Sequence, residues 1–197
     1  MQAQLLRLRG QLSPRRAVSR RFLAAATASS FDPPPPPKTF ANFSIYKGKS
    51  AMQVAPLAPT FEQLGTAQTT ARDGGLLLTF APASGPKAYD WAQKQLFSVG
   101  VTELGELLAA FGHGAATRSL EFYHDPGKGG PSEGQTAKKL QVSPLGKDDV
   151  MFNLSVSTKG QEASRLSVPV TSAELEVLCS IARFVIPRAL GFDKVMM

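Results

Sequence analysis

The chain has 197 residues, 43% of them hydrophobic and 19% charged, with a single cysteine and a formal charge of +7 at neutral pH. One cysteine excludes an intramolecular disulfide and a cysteine-based zinc site, and no run of about 18 apolar residues stands anywhere in the chain to form a membrane span. The charge is uneven, because Arg7, Arg9, Arg15, Arg16, Arg20 and Arg21 place +6 in the first 31 residues, which hold no acid, and leave +1 for everything after them.

Residues 1–31 have the Arg-rich, acid-free composition of an organelle transit peptide, with Leu5, Leu6, Leu8 and Leu12 among the arginines and small residues from Ala24 to Ser30. A basic arm that itself touches nucleic acid is the alternative. Arginine density and the Arg20-Arg21-Phe22 junction favour the mitochondrion; the Ser/Ala enrichment keeps the chloroplast as the alternative. Residues 32–37, Asp32 followed by Pro33 to Pro37, read as an extended polyproline spacer. The folded domain is therefore expected over residues 38–197, a length that suits one domain.

From Lys38 onward, short runs rich in Val, Phe, Tyr, Thr and Leu alternate with Gly/Pro/Asp clusters, the pattern of antiparallel strands. Strands are expected over 39–54, 60–64, 75–81 and 89–99, then a helix over 102–111 capped by Thr102 and stopped by Gly112. The second half repeats the order, with strands over 119–124, 138–144, 150–158 and 165–170. A second helix then starts at the capping box Thr171-Ser172-Ala173-Glu174, carries Leu175, Leu178, Cys179, Ala182, Val185 and Ile186 at helical spacing, and is kinked or ended by Pro187. The fold class is α+β: two packed antiparallel four-stranded sheets, each half followed by a helix. The apolar stripe of the second helix suits either core or a subunit interface.

Two segments combine aromatic rings, cations and amides. Read as one strand, Tyr46-Lys47-Gly48-Lys49-Ser50-Ala51 puts Tyr46, Gly48 and Ser50 on one face and Lys47, Lys49 and Ala51 on the other. Two lysines with a glycine between them suit a phosphate backbone, and an ordinary solvated strand face is the alternative. In Tyr89-Asp90-Trp91-Ala92-Gln93-Lys94-Gln95, Tyr89, Trp91, Gln93 and Gln95 share a strand face that is either the edge of the core or a base-stacking platform. The Gly-rich piece Asp125 to Pro131 lacks the spacing of a phosphate-binding loop and reads as a hairpin connection that brings Lys128 toward phosphates. His113 and His124 stand at no metal-ligand spacing. No metal, cofactor or catalytic residue is expected, and an enzyme is the remote reading.

These segments, with Val101-Thr102-Glu103-Leu104-Gly105, Glu121-Phe122-Tyr123-His124-Asp125-Pro126 and Phe152-Asn153-Leu154-Ser155-Val156, resemble in order the Whirly family of organelle and nuclear single-stranded DNA-binding proteins of plants and green algae. The resemblance runs from about Lys38 to Phe192. It implies two antiparallel four-stranded sheets with helices, a homotetramer built around the helices, and single-stranded DNA lying across the sheets between protomers. It also implies that Lys47, Gly48, Lys49, Ser50 and Ala51 serve strand binding and assembly into larger particles. Tyr46, Trp91 and Lys94, with Asn153 and Ser155, are further DNA-contact candidates. The chain departs from the family where Ser50 replaces an alanine and Gln93 a basic residue, and its tail after Phe192 lacks an acidic, aromatic extension.

With only +1 on the expected mature domain, stacking of bases has to supply much of the affinity, and duplex DNA hides those faces. The expected function is coating and protection of organelle single-stranded DNA, with little sequence specificity and roles in genome stability, repair and transcription. An RNA-binding module of the same stacking type is the rival, because nothing visibly checks for a 2′-hydroxyl.

Overall fold

The computed structural model describes residues 39–112, 118–146 and 148–196. The expected transit peptide, the proline spacer and His113 lie outside the described residues. The first sheet contains β1 (Phe43–Tyr46), β2 (Ser50–Leu57) and β5 (Gly75–Gly85), all antiparallel. Its last position is shared by β6 (Ala88–Tyr89) and β7 (Gln95–Gly100), which pair with opposite ends of the long β5. A separate hairpin joins β3 (Thr60–Leu64) to β4 (Ala67–Arg72). The second sheet runs in the order β11 (Ser164–Val170), β10 (Asp149–Thr158), β9 (Thr136–Leu145), β8 (Leu120–His124). Helix α1 is Val101–Phe111, α2 is Ser172–Ala189 and α3 is the short Phe192–Val195.

Three strand expectations need correction. The strand expected over 39–54 is two strands, β1 and β2, because the chain reverses at Gly48-Lys49: Lys47 N–H donates to the Ser50 carbonyl at 3.1 Å, and Tyr46 stands opposite Ala51. The alternating-face reading of Tyr46 to Ala51 therefore fails at the reversal. The strand expected over 89–99 is interrupted by a 3-10 turn, Trp91–Gln93, whose first amides are taken by the Asp90 carboxylate through Ala92 N–H and Gln93 N–H. Trp91, Gln93 and Gln95 thus do not share a strand face with Tyr89. Finally, 60–64 pairs with the unforeseen β4, outside the main sheets.

The helix boundaries follow from their caps. Helix α1 begins one residue before the expected start, with Gly100 rather than Thr102 at its cap; Gly100 N–H donates to a Glu103 carboxylate oxygen at 2.8 Å. Gly112 closes it by donating to the Leu108 carbonyl. In α2 both halves of the capping box form between Thr171 and Glu174. Pro187 lies inside the last turn, and the helix runs two residues past it.

Alternate strand residues face inward. Ile45, Met52, Val54, Leu78, Phe80 and Phe97 from the first sheet, and Phe122, Leu140, Val142, Phe152, Leu154 and Val168 from the second, are buried in one cluster with α1 and α2. Around a void of only about 20 Å³ stand Val54, Leu76, Phe152, Leu104 and Leu178, so both sheets and both helices meet at one point. Cys179 is wholly buried in this cluster. Close packing of this kind fixes the outward rows of each sheet from behind.

Candidate nucleic-acid interface

The hairpin end at Lys47 to Ser50 is held from three sides. Lys47 Nζ pairs with both carboxylate oxygens of Glu174, at 2.9 and 2.8 Å, tying the turn to the N-terminus of α2. The Tyr89 hydroxyl donates to the Lys47 carbonyl at 2.7 Å. Behind the turn, Ser50 is buried and its hydroxyl donates to the carbonyl of Ser167 on β11, a strand of the second sheet that lies against β2 and β5 of the first. Ala51 is also fully buried. Burial by itself would raise the Glu174 carboxyl, yet hydrogen bonds from Lys47 and Thr171 outweigh it and hold the group below its ordinary value.

The five residues Lys47 to Ala51 consequently divide by position. Lys49 and Gly48 face solvent at the tip, Lys47 is half-buried in an ion pair, and Ser50 and Ala51 form the packed base. Nothing lies within 4 Å of where a Gly48 side chain would begin. Beside the tip, Tyr46 is 58% exposed and its ring stands 5.4 Å from that of Tyr89 in a tilted pair. Trp91 is half-buried and Lys94 exposed, both carried on the turn that Asp90 caps. The first-sheet candidates therefore gather near one hairpin end.

Asn153 and Ser155 lie elsewhere, half-buried on the outward face of β10. Their cross-strand neighbours are residues that sequence reasoning passed over. Ser155 stands between Lys139 and Arg165, and Asn153 between Gln141 and Ser167. Next to Lys139 on β8 is Tyr123, 66% exposed. The signal was available in the alternation: Tyr123 flanks the buried Phe122, and Lys139 flanks the buried Leu140, so both must point outward. Glu174 was recognised as a cap, but nothing local in sequence marks its contact with Lys47, 127 residues away.

Between β7 and β8 a groove of about 540 Å³ is lined in part by Arg72, Leu96, Tyr123, Lys128 and Lys138. Burial pushes the Lys138 ammonium down from its ordinary value, and its Nζ donates to the Leu96 carbonyl at 2.8 Å, bridging the two sheets. At the rim, His124 stacks on Phe97 at 4.2 Å and meets a Glu103 oxygen at 2.7 Å through Nε2. Among the described residues no group of three His, Cys, Asp or Glu side chains could hold a metal ion. No helix among them is long and apolar enough to cross a membrane.

The chain is similar in sequence and in fold to known proteins. The chain is 44% identical over 158 residues to the single-stranded DNA-binding protein WHY1, chloroplastic, of Solanum tuberosum, covering 79% of this chain and 56% of that protein. It is 35% identical over 160 residues to the single-stranded DNA-binding protein WHY2, mitochondrial, of Arabidopsis thaliana, covering 80% and 66%. The matched region is thus little more than half the length of the first of these relatives. Among solved structures, WHY3 from Arabidopsis thaliana superposes with a TM-score of 0.75 at 41% identity, over 81% of this chain and 94% of that one. The plant transcriptional regulator PBF-2 superposes at 0.73 with 43% identity, over 81% and 87%. The family model described as Whirly transcription factor matches residues 45–181, and with that span and these identities the chain belongs to the Whirly family.

Proposed function

We propose that this chain binds single-stranded DNA with little sequence specificity, by stacking bases on exposed rings while lysines follow the phosphates. The observation that carries the reading is that exposed rings stand near cations on both sheets: Tyr46 beside the hairpin tip that carries Lys49, and Tyr123 across from the half-buried Lys139. Relatives named as single-stranded DNA-binding proteins support it. In this reading Tyr46 and Trp91 stack bases, Lys49 and Lys94 meet phosphates, and Gly48 lets the strand come close. Asn153 and Ser155 supply hydrogen bonds, while Lys47, Ser50 and Ala51 hold the hairpin end in place.

The protein acts as a homotetramer and in larger assemblies, with the outward side of α2 as the contact surface. Ala173, Val177, Ile181 and Phe184 line a shallow apolar depression there, and Phe184 is 59% exposed. Residues 1–31 direct the chain to an organelle, the mitochondrion on arginine content with the chloroplast as the alternative, and residues 32–37 separate that leader from the domain at 38–197. Relatives named for each organelle support an organelle address. There the protein coats exposed strands and so protects the genome, with consequences for repair and transcription.

The test is binding of the purified chain to matched single-stranded DNA, duplex DNA and single-stranded RNA over a salt series. Strong preference for single-stranded DNA with a shallow salt slope is expected. Equal single-strand and duplex affinity with a steep slope would mean phosphate attraction alone, and equal DNA and RNA affinity would establish the RNA-binding reading beside it.

A further inference from the structure

The outward face of the second sheet sets an anion beside its cationic row. Register aligns Tyr123, Lys139, Ser155 and Arg165 across β8, β9, β10 and β11. The adjoining row is Glu121, Gln141, Asn153 and Ser167. The residues between, Phe122, Leu140, Leu154 and Leu166, are buried, so both rows face water from a fixed support.

At the β8 end these side chains close on one another. Lys139 Nζ lies 2.8 Å from Glu121 Oε1 and 5.2 Å from the centre of the Tyr123 ring. The Tyr123 hydroxyl donates to the other oxygen, Glu121 Oε2, at 2.8 Å. Hydrogen bonds from Lys139 and then Tyr123 hold the Glu121 carboxyl below its ordinary value, and the bond to Glu121 first among them holds the Lys139 ammonium above its own. Both groups are therefore charged at neutral pH. The cation beside the exposed Tyr123 ring thus already has an anionic partner, and that partner also tethers the ring by its hydroxyl.

We infer that Glu121 is a specificity-determining residue, a built-in competitor for phosphate at Lys139 that penalises nucleic acid offering phosphates alone. The inference rests on the single-stranded DNA reading given above. A strand that takes Lys139 must displace Glu121 or sit against its charge. An unpaired strand offsets that loss by stacking a base on Tyr123, whereas a duplex keeps its bases stacked internally and has only phosphate to offer. Glu121 thus weakens duplex binding more than single-strand binding. It does so by occupying the cation.

The experiment compares the full chain with its Glu121→Gln, Lys139→Met and doubly substituted forms, each titrated with one mixed-sequence oligonucleotide and with its duplex over a salt series. Glu121→Gln should tighten duplex binding about two- to fivefold at low salt, the scale of an exposed ion pair, and tighten single-strand binding less. The duplex log–log salt slope should steepen by about 0.9, one further phosphate contact. Both changes should vanish on the Lys139→Met background. Because Glu121 is exposed, equal melting temperatures will show that the fold is intact. A wild-type chain that prefers single strands, combined with a Glu121→Gln form unchanged in duplex affinity and slope, overturns the inference alone. Persistence of the gain without Lys139 also overturns it, as a general charge effect. A wild-type chain with no single-strand preference overturns the functional reading and the inference together.

Discussion

Lys47 and Lys49 are two residues apart and have opposite employments. Lys49 projects from the hairpin tip, so Lys49→Ala should weaken single-stranded DNA binding and reduce the magnitude of its log–log salt slope by about 0.7, with the melting temperature unchanged. Lys47 is paired with Glu174 where both side chains are about three-quarters hidden, at 22% and 26% exposure. Lys47→Met should therefore cost about 1 kcal/mol of stability, read by denaturant unfolding, because it leaves a half-buried carboxylate without its cation. Since Glu174 titrates lower in the folded chain than in the unfolded one, the stability it contributes is full above its ordinary value of 4.5 and is lost as pH falls through the lower, folded value. Melting temperature measured between about pH 5 and pH 3 should accordingly fall less steeply in Glu174→Gln than in the native chain. The sequence made both lysines visible as cations. Their division of labour depends on a contact 127 residues away and is written in no local pattern.

At the scale of elements, the second half of the chain was read almost to the residue, because its strands have clean alternation between buried and half-buried positions, as in Asp149–Thr158. The first half was harder for two reasons. The reversal at Gly48-Lys49 lacks the Asn-Gly or Asp-Gly pair that marks a two-residue hairpin, so β1 and β2 ran together. The Asp90 carboxylate interrupts the β6–β7 stretch through side-chain bonds to backbone, a local competitor of sheet pairing that composition does not show. The β3–β4 hairpin went half unseen because β4, Ala67–Arg72, is polar and mostly exposed. That hairpin nevertheless docks on the end of α2 through Gly191, whose φ is +80° and whose added Cβ would meet Phe61 at 2.9 Å and Thr70 at 3.3 Å. Gly191→Ala should cost about 1–3 kcal/mol through strain and contact. Hydrogen exchange should localise the loosening to β3, β4 and the α2–α3 junction, and leave the second sheet protected.

On the scale of the whole molecule, the proposed assembly would be linked to the proposed binding by effective concentration. If tetramers form through α2, Val177→Arg should yield monomers by sedimentation and lower the apparent affinity for long single strands by about 10²-fold, while affinity for a strand too short to reach two protomers changes little. The two-sheet architecture was legible in the sequence because strand alternation and helix caps agree with one another across both halves. The way in which one strand, β11, joins the sheets through the Ser50 hydroxyl was not, since it pairs residues 117 positions apart. The only cysteine of the chain, Cys179, lies sealed in the common core, and burial pushes its thiol up from its ordinary value. The folded protein is therefore inert to thiol reagents, and a single Gly48→Cys exchange, at a tip with open space around it, would give a chain with one reactive point. A dye attached there would test the proposed approach directly, since a strand that comes close to Gly48 would have to meet it, against a background with no competing label.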